Sequence, residues 1–435
     1  MTLPKSNGSF PFLDQNGPFA TFNTPQTNTL FSKDNRAFIK TLRGKQLITK
    51  YRIIRNQIFD FLDVRSFSEI HQLIVNKDKR HEINRRGYAL LGNMFGIEGN
   101  ARETISTINN YSRTADAVIR YLKVGALSQY AAYVEMTNEI DSTSSPIDLL
   151  LILFNPRYHK KARFEAKRKL ILMSLAGSIE LRERETNIED NFSVFLNFLN
   201  SNVWSSEMLI GELNVSYLLS QHDPKDFTCQ EVKTISLADA KKIKAKNGQK
   251  LTLIKRRFFR APGKQIPIYV SIRKKSPEAK VLKLLRKGEE NPAVAVDDEL
   301  GLMAVLDSIA DVRTFQRHLT QSAIKADSFM TLEEVSDTLT GGTHNSSNIG
   351  SAPGTPMFKF FARMGGMRVE FIIHTNKTYL NYIYQRDISH DEYEIKRIFD
   401  SGVADLLFPK EIYYLDMAEV KARQLRLCRR KIEEV

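Results

Sequence analysis

The sequence predicts an α+β protein in which a mainly helical N-terminal region precedes a mixed β-sheet with helices packed on it. Three observations carry this. Apolar residues recur at helical spacing from about residue 34 to 220; after Phe227 short β-rich runs alternate with amphipathic ones; and Gly, Ser and Asn collect in one long interruption at residues 340–356.

Residues 1–33 are rich in Asn, Pro, Gly, Ser and Thr and read as a poorly ordered arm. Residues 34–225 read as a helical domain for partner binding or regulation, with "IIRNQIFDFL", "TADAVIRYLKVGAL" and "AKRKLILMSLAGSIELRE" as its clearest helices. The breaks are "STSSP" at 142–146 and "SQHDPKD" at 220–226. Residues 226–435 form the sheet domain, with strands in "KLTLIKRRFF", "IPIYVSI", "GLMAVLDS", "MFKFFARM" and "MRVEFIIHT". Helices fall in "KSPEAKVLKLLRKG", "DVRTFQRHLTQSA", "NKTYLNYIYQR" and "DEYEIKRIFDSGVADLLF".

Length and apolar content suffice for real cores. The two cysteines, Cys229 and Cys428, have no metal-ligand spacing, and together with the absence of a signal-like start or a spanning apolar run they imply a cytoplasmic chain with no membrane partner. The formal charge of +14 is concentrated. Between residues 241 and 290, seventeen Lys or Arg stand against three acids, and the rest of the chain sums to zero. A polyanionic partner follows as an expectation: nucleotide phosphate or RNA at 241–290. A second basic run, residues 155–169, reads as a solvated helix face or as a basic surface for RNA or an acidic partner.

In "IRKKSPEAKVLKLLRKG", Arg273, Lys274 and Lys275 stand before a helix whose start is signed by Ser276 as N-cap, Pro277 at the first position and Glu278. Cations oppose the helix dipole there, so the arrangement suits a phosphate cradle. Asp297 and Asp298 precede one strand, and Glu370 lies within another. A carboxylate inside a strand costs several kcal/mol if buried alone, so Glu370 should face solvent, a cation or a metal. Two carboxylates beside phosphates suit Mg²⁺.

The ordered set "IRKKSPEAKVLKLLRKG", "DDELGLMAVLDSIADVRTFQRHL" and "MRVEFIIHTNKTYLNYIY" resembles the synthetase domain of the RelA/SpoT family of alarmone synthetases. The resemblance covers roughly residues 251–415. It implies a nucleotidyltransferase-like fold and transfer of pyrophosphate from ATP to a hydroxyl of GDP, GTP or the tRNA 3′ end. Arg273, Lys275 and Ser276, with Lys274 beside them, would hold ATP phosphates; Asp298, with Gly301, would form the magnesium strand; and Glu370 would be the second catalytic and metal carboxylate. Met303, Ile372 and His374 depart from the family's Arg, Gln and Arg. Where the family has Tyr-x-Gly-Tyr-x-Ser-x-His to stack on the acceptor guanine, this chain has a tyrosine-free loop with His344, Ser346 and Ser347. A second reading therefore stays open: a degenerate synthetase fold that senses nucleotide or binds nucleic acid.

The remaining motifs have structural readings. His222 and Asp223 read as a linker turn, His390 and Asp391 as a helix start after Ser389, and Tyr379, Tyr382 and Tyr384 as core aromatics. Residues 101–125 also fit a helix-turn-helix with Arg113 and Arg120 outward, a third reading in which the helical half binds DNA.

Overall fold

The computed structural model describes residues 75–155, 157–204, 213–244, 248–289, 291–296, 298–328, 330–344, 351–352, 354–364 and 367–434. The expected arm at 1–33, the "IIRNQIFDFL" helix, Asp297, Ser346 and Ser347 lie outside the described residues. The labelled helices, in chain order, are α1 (Lys77–Met94), α2 (Ala101–Val124), α3 (Pro146–Phe154), α4 (Lys160–Glu185), α5 (Ile188–Phe198), α6 (Pro277–Lys287), α7 (Ile309–Lys325), α8 (Asn376–Tyr384), α9 (His390–Asp400) and α10 (Met417–Glu434). The strands are β1 (Asn214–His222), β2 (Cys229–Ser236), β3 (Gln249–Ala261), β4 (Lys264–Lys274), β5 (Leu300–Leu306), β6 (Met330–Asp337), β7 (Phe358–Met364) and β8 (Met367–Thr375).

The chain is α+β, and its two compact units interleave. One takes the chain through Thr186, then Ser276–Val296 and Ile395–Gln424; the other takes Asn187–Lys275, Asp297–Glu394 and Leu425–Val435. The expected boundary at 225/226 therefore falls inside a β-hairpin. Residues 220–226, read as a linker, are the end of β1 and its turn into β2, held by backbone pairing of Asp223 with Thr228 and Phe227.

The first unit is helical. Asn100 and Glu103 form a capping box that starts α2, which then runs unbroken to Val124, so the alternative reading of this stretch as a helix-turn-helix gives way to one continuous helix. Its apolar face buries Ile108, Ala115, Val118 and Leu122. The last two residues of the "STSSP" break, Ser145 as N-cap and Pro146 at the first position, begin α3. The basic run at 155–169 is not a solvated face. Arg168, 3% exposed, donates to the Leu407 carbonyl at 2.8 Å and the Tyr413 hydroxyl at 2.7 Å; Lys169 reaches Asp116 at 3.0 Å; and Tyr413 donates to buried Glu165 at 2.8 Å. Buried charges persist because each finds such a partner.

The second unit is built on an eight-stranded mixed sheet of order β2-β1-β3-β4-β5-β8-β7-β6, in which only β5 and β8 run parallel. Every strand expected from the sequence forms; β1, β2 and β6 are additional. One face, with Leu302, Ala304, Phe360 and Phe371, packs on α5 and α7 through Phe195, Val312 and Phe315. The other face, with Leu218, Ile254 and Val305, packs on α8 and on Ile432 near the end of α10. Lys250, 3% exposed, donates to the carbonyls of Ile432 and Glu433 there.

Candidate functional site

Strand pairing, not loop geometry, assembles the residues singled out from the sequence. Arg273 of β4 stands opposite Gly301 of β5, and Gly301 stands opposite Glu370 of β8. Gly301 has no side chain to fill the middle of this row. A Cβ there would lie 3.0 Å from Arg273 Nε and 3.4 Å from its Cγ. The guanidinium can therefore cross β5, and its Nη2 donates to Glu370 Oε2 at 2.8 Å. From β7, Lys359 Nζ reaches Glu370 Oε1 at 3.0 Å. Glu370 is 1% exposed and Lys359 fully buried, so the carboxylate faces two cations, one of the three environments expected for it. Burial opposes the charge on Arg273, but Glu370 and Asp298 outweigh it and hold the guanidinium above its ordinary range.

Just beyond β4, Lys275 donates its backbone N–H to the Glu299 carbonyl at 2.8 Å, which brings its side chain to Asp298. Nζ lies 2.7 Å from Asp298 Oδ2, and Asp298 is buried. Lys274 does not join this group. It alternates to the opposite face of the sheet, beside Leu300, and pairs with Glu189 of α5. Ser276 occupies the N-cap position of α6 in extended backbone geometry, but its hydroxyl makes no capping bond.

The three departures from the family pattern line the same face. Met303 stands between Ser271 and Ile372 in register, and Ile372 is buried. His374 is fully buried, its pKa pushed down to about 4 by that burial. Tyr382 packs between His374 and His390, with ring centroids at 5.3 and 5.0 Å. Burial pushes the Tyr382 hydroxyl up to about 12 while Arg273 opposes the shift, so this ring borders the Arg273–Glu370 pair. Tyr379 and Tyr384 are core, as expected. His222 is a buried hairpin residue: Nε2 meets Ser220 Oγ and Nδ1 meets the Phe227 carbonyl, both at 2.8 Å.

Among the described residues no three or more His, Cys, Asp or Glu side chains gather closely enough to hold a metal ion. Magnesium commonly takes only one or two carboxylates and completes its shell with phosphate and water oxygens. Asp298 offers such an oxygen. Both Glu370 oxygens face cations, Oε2 toward Arg273 and Oε1 toward Lys359.

The basic segment is likewise not one free surface. Lys250, Arg256, Lys280 and Lys283 are buried, and Arg273 and Lys275 serve the two carboxylates. Lys359 was missed in the sequence, although a cation set between Phe358 and Phe360 in "FKFF" is the signal of a buried charge that needs a carboxylate. Among the described residues no helix is long and apolar enough to cross a membrane. Compared with known proteins, the chain matches no family model, no curated protein and no solved structure.

Proposed function

We propose that the second unit binds ATP through its phosphates at Arg273 and Lys275 and transfers pyrophosphate to a hydroxyl of GDP, GTP or tRNA, as a divergent RelA/SpoT-like synthetase of nucleotidyltransferase-like fold. The observation that carries this reading is the row Arg273–Gly301–Glu370, with Lys275 on Asp298 beside it. Cations paired with carboxylates are poised for exchange: when phosphate oxygens take Arg273 and Lys275, Asp298 and Glu370 are released toward substrate. Asp298 would hold Mg²⁺, which supplies charge neutralisation on the phosphates when bound. Glu370 would orient the acceptor hydroxyl, and Lys359, 3.0 Å from its Oε1, would hold that carboxylate in place.

The test is incubation with γ-labelled ATP and Mg²⁺, separately with GDP, GTP and bulk tRNA, beside Asp298→Asn. Label reaching an acceptor with the wild-type chain and not with the variant supports the reading. Transfer that survives Asp298→Asn overturns it. The burial of Glu370 between two cations favours a second reading, a phosphate sensor without turnover. ATP binding that depends on Arg273 and Lys275, with no transfer to any acceptor, selects that one.

A further inference from the structure

The sheet face that α5 and α7 cover beneath β4, β5, β8 and β7 continues across β3, β1 and β2, where Val215, Lys233, Leu253 and Lys255 are exposed and Tyr217, Leu219, Ile235 and Leu251 are half-buried. Pairing sets Ile235, Tyr217 and Leu253 in one row and Lys233, Leu219 and Leu251 in the next, while Val215 stands opposite Lys255. Leu253 is 48% exposed and Val215 36%, whereas the alternate residues Leu218 and Ile254 are buried on the other side. Where the cover begins, Arg257 lies over the Trp204 ring at 5.7 Å.

An open apolar strand face invites non-specific association unless it serves a partner. Its charge indicates which kind. On this face the three strands carry Lys233, Lys255 and Arg257 against a single acid, Glu231; Lys250 and Arg256 are buried and, with Arg260, stand on the other side. Lys233 and Lys255 are exposed on the open face, and among the described residues neither makes an ion pair. At the row's end Gln221 stands opposite Gln249, two amides that can bond a ribose 2′-hydroxyl or a base edge.

We propose that this face binds single-stranded RNA, with Tyr217 as the stacking platform and Lys233, Lys255 and Arg257 on the phosphates. A flat strand face with one central ring accepts an unstacked base, flanking Leu253 and Ile235 exclude water from it, and cations two to four residues away meet the backbone. A duplex keeps its bases stacked and cannot use the ring. The site is independent of phosphate transfer, because register puts Arg273 and Glu370 on the other face of the sheet.

The test is fluorescence anisotropy of the full chain with a labelled single-stranded RNA of roughly twelve nucleotides. The same RNA as a duplex, a DNA of equal sequence and phosphatidylserine vesicles serve as comparisons. Tyr217→Ala should weaken RNA binding at least about fivefold and Tyr217→Phe should restore it. Lys233→Gln and Lys255→Gln should each lower the slope of log affinity against log salt by about 0.7. All three positions are at least partly exposed, and unchanged thermal melting would show that the variants fold. Absent RNA binding, binding indifferent to Tyr217→Ala, equal affinity for the duplex or the DNA, or vesicle binding that RNA does not compete away would each overturn the proposal.

Discussion

Arg273 and Glu370 meet across a glycine: Nη2 lies 2.8 Å from Oε2, and Gly301 stands between them in the register of β4, β5 and β8. The pair is therefore a packing feature of the sheet as well as a candidate chemical one. Variants chosen to test chemistry will also report stability.

Glu370→Gln should destabilise the protein, contrary to the simple view that a catalytic carboxylate can be neutralised at no cost to the fold. Removing one partner of a buried ion pair costs about 3–5 kcal/mol, and because Arg273 is 47% exposed, water screens its part and about 3 kcal/mol is expected. Urea unfolding measures it. Adding Lys359→Met to Glu370→Gln should recover part of the loss, since the buried ammonium is then gone; strictly additive losses would show that Lys359 and Glu370 are not coupled.

Gly301→Ala tests the crossing itself. The new methyl meets Arg273 at 3.0 Å, so the guanidinium must shift by a few tenths of an ångström. A stability loss of about 1 kcal/mol is expected, with ATP affinity falling in parallel. Affinity equal to wild type would mean that the position of Arg273 over β5 does not matter for binding.

Stability should fall on mild acidification. Burial, with Tyr379 and Tyr382 packed against the ring, holds His374 down to about 4 in the folded state although a hydrogen bond to the Pro356 backbone opposes the shift, against an ordinary value of 6.5. The unfolded chain therefore binds the extra proton first. His374 contributes its full stability above pH 6.5, and this is lost as pH falls toward 4, by about 3 kcal/mol in all. His222, also lowered by burial, adds in the same direction. Urea midpoints for wild type and His374→Phe across that range should converge as pH falls; parallel curves would remove His374 from the account.

Lys250 fastens the chain end. Its ammonium, lowered in pKa by burial, donates to the Ile432 and Glu433 carbonyls, where a helix C-terminus leaves acceptors without partners. Lys250→Met should cost about 1–3 kcal/mol and speed amide exchange in the last turn of α10. Exchange unchanged in that turn would show that the contact does not hold it.

Much of the fold was legible in residue order. Strands β3, β4, β5, β7 and β8 and the helices after Phe227 follow from alternation and amphipathic spacing, because each buries a face against a covered part of the sheet. β2 and β6 were not legible. They are the two edge strands, and most of their residues stay partly or fully exposed, so no alternation marks "CQEVKTIS" or "MTLEEVSD". β1 shares the open face with β2, and its missed pairing moved the expected domain boundary into a hairpin.

The sequence by itself determined the α+β class, most sheet strands, and the charged residues Arg273, Lys275, Asp298 and Glu370 as a set that must find partners. It could do so because backbone periodicity and the cost of burying charge act locally. Only the tertiary structure decided which partners those were. That Lys359 and not solvent faces Glu370, and that Lys274 turns to Glu189 on the opposite face while Arg273 meets Glu370, depend on cross-strand register. A shift of one residue would exchange the two faces of a strand, and no local pattern records which neighbour a strand will choose.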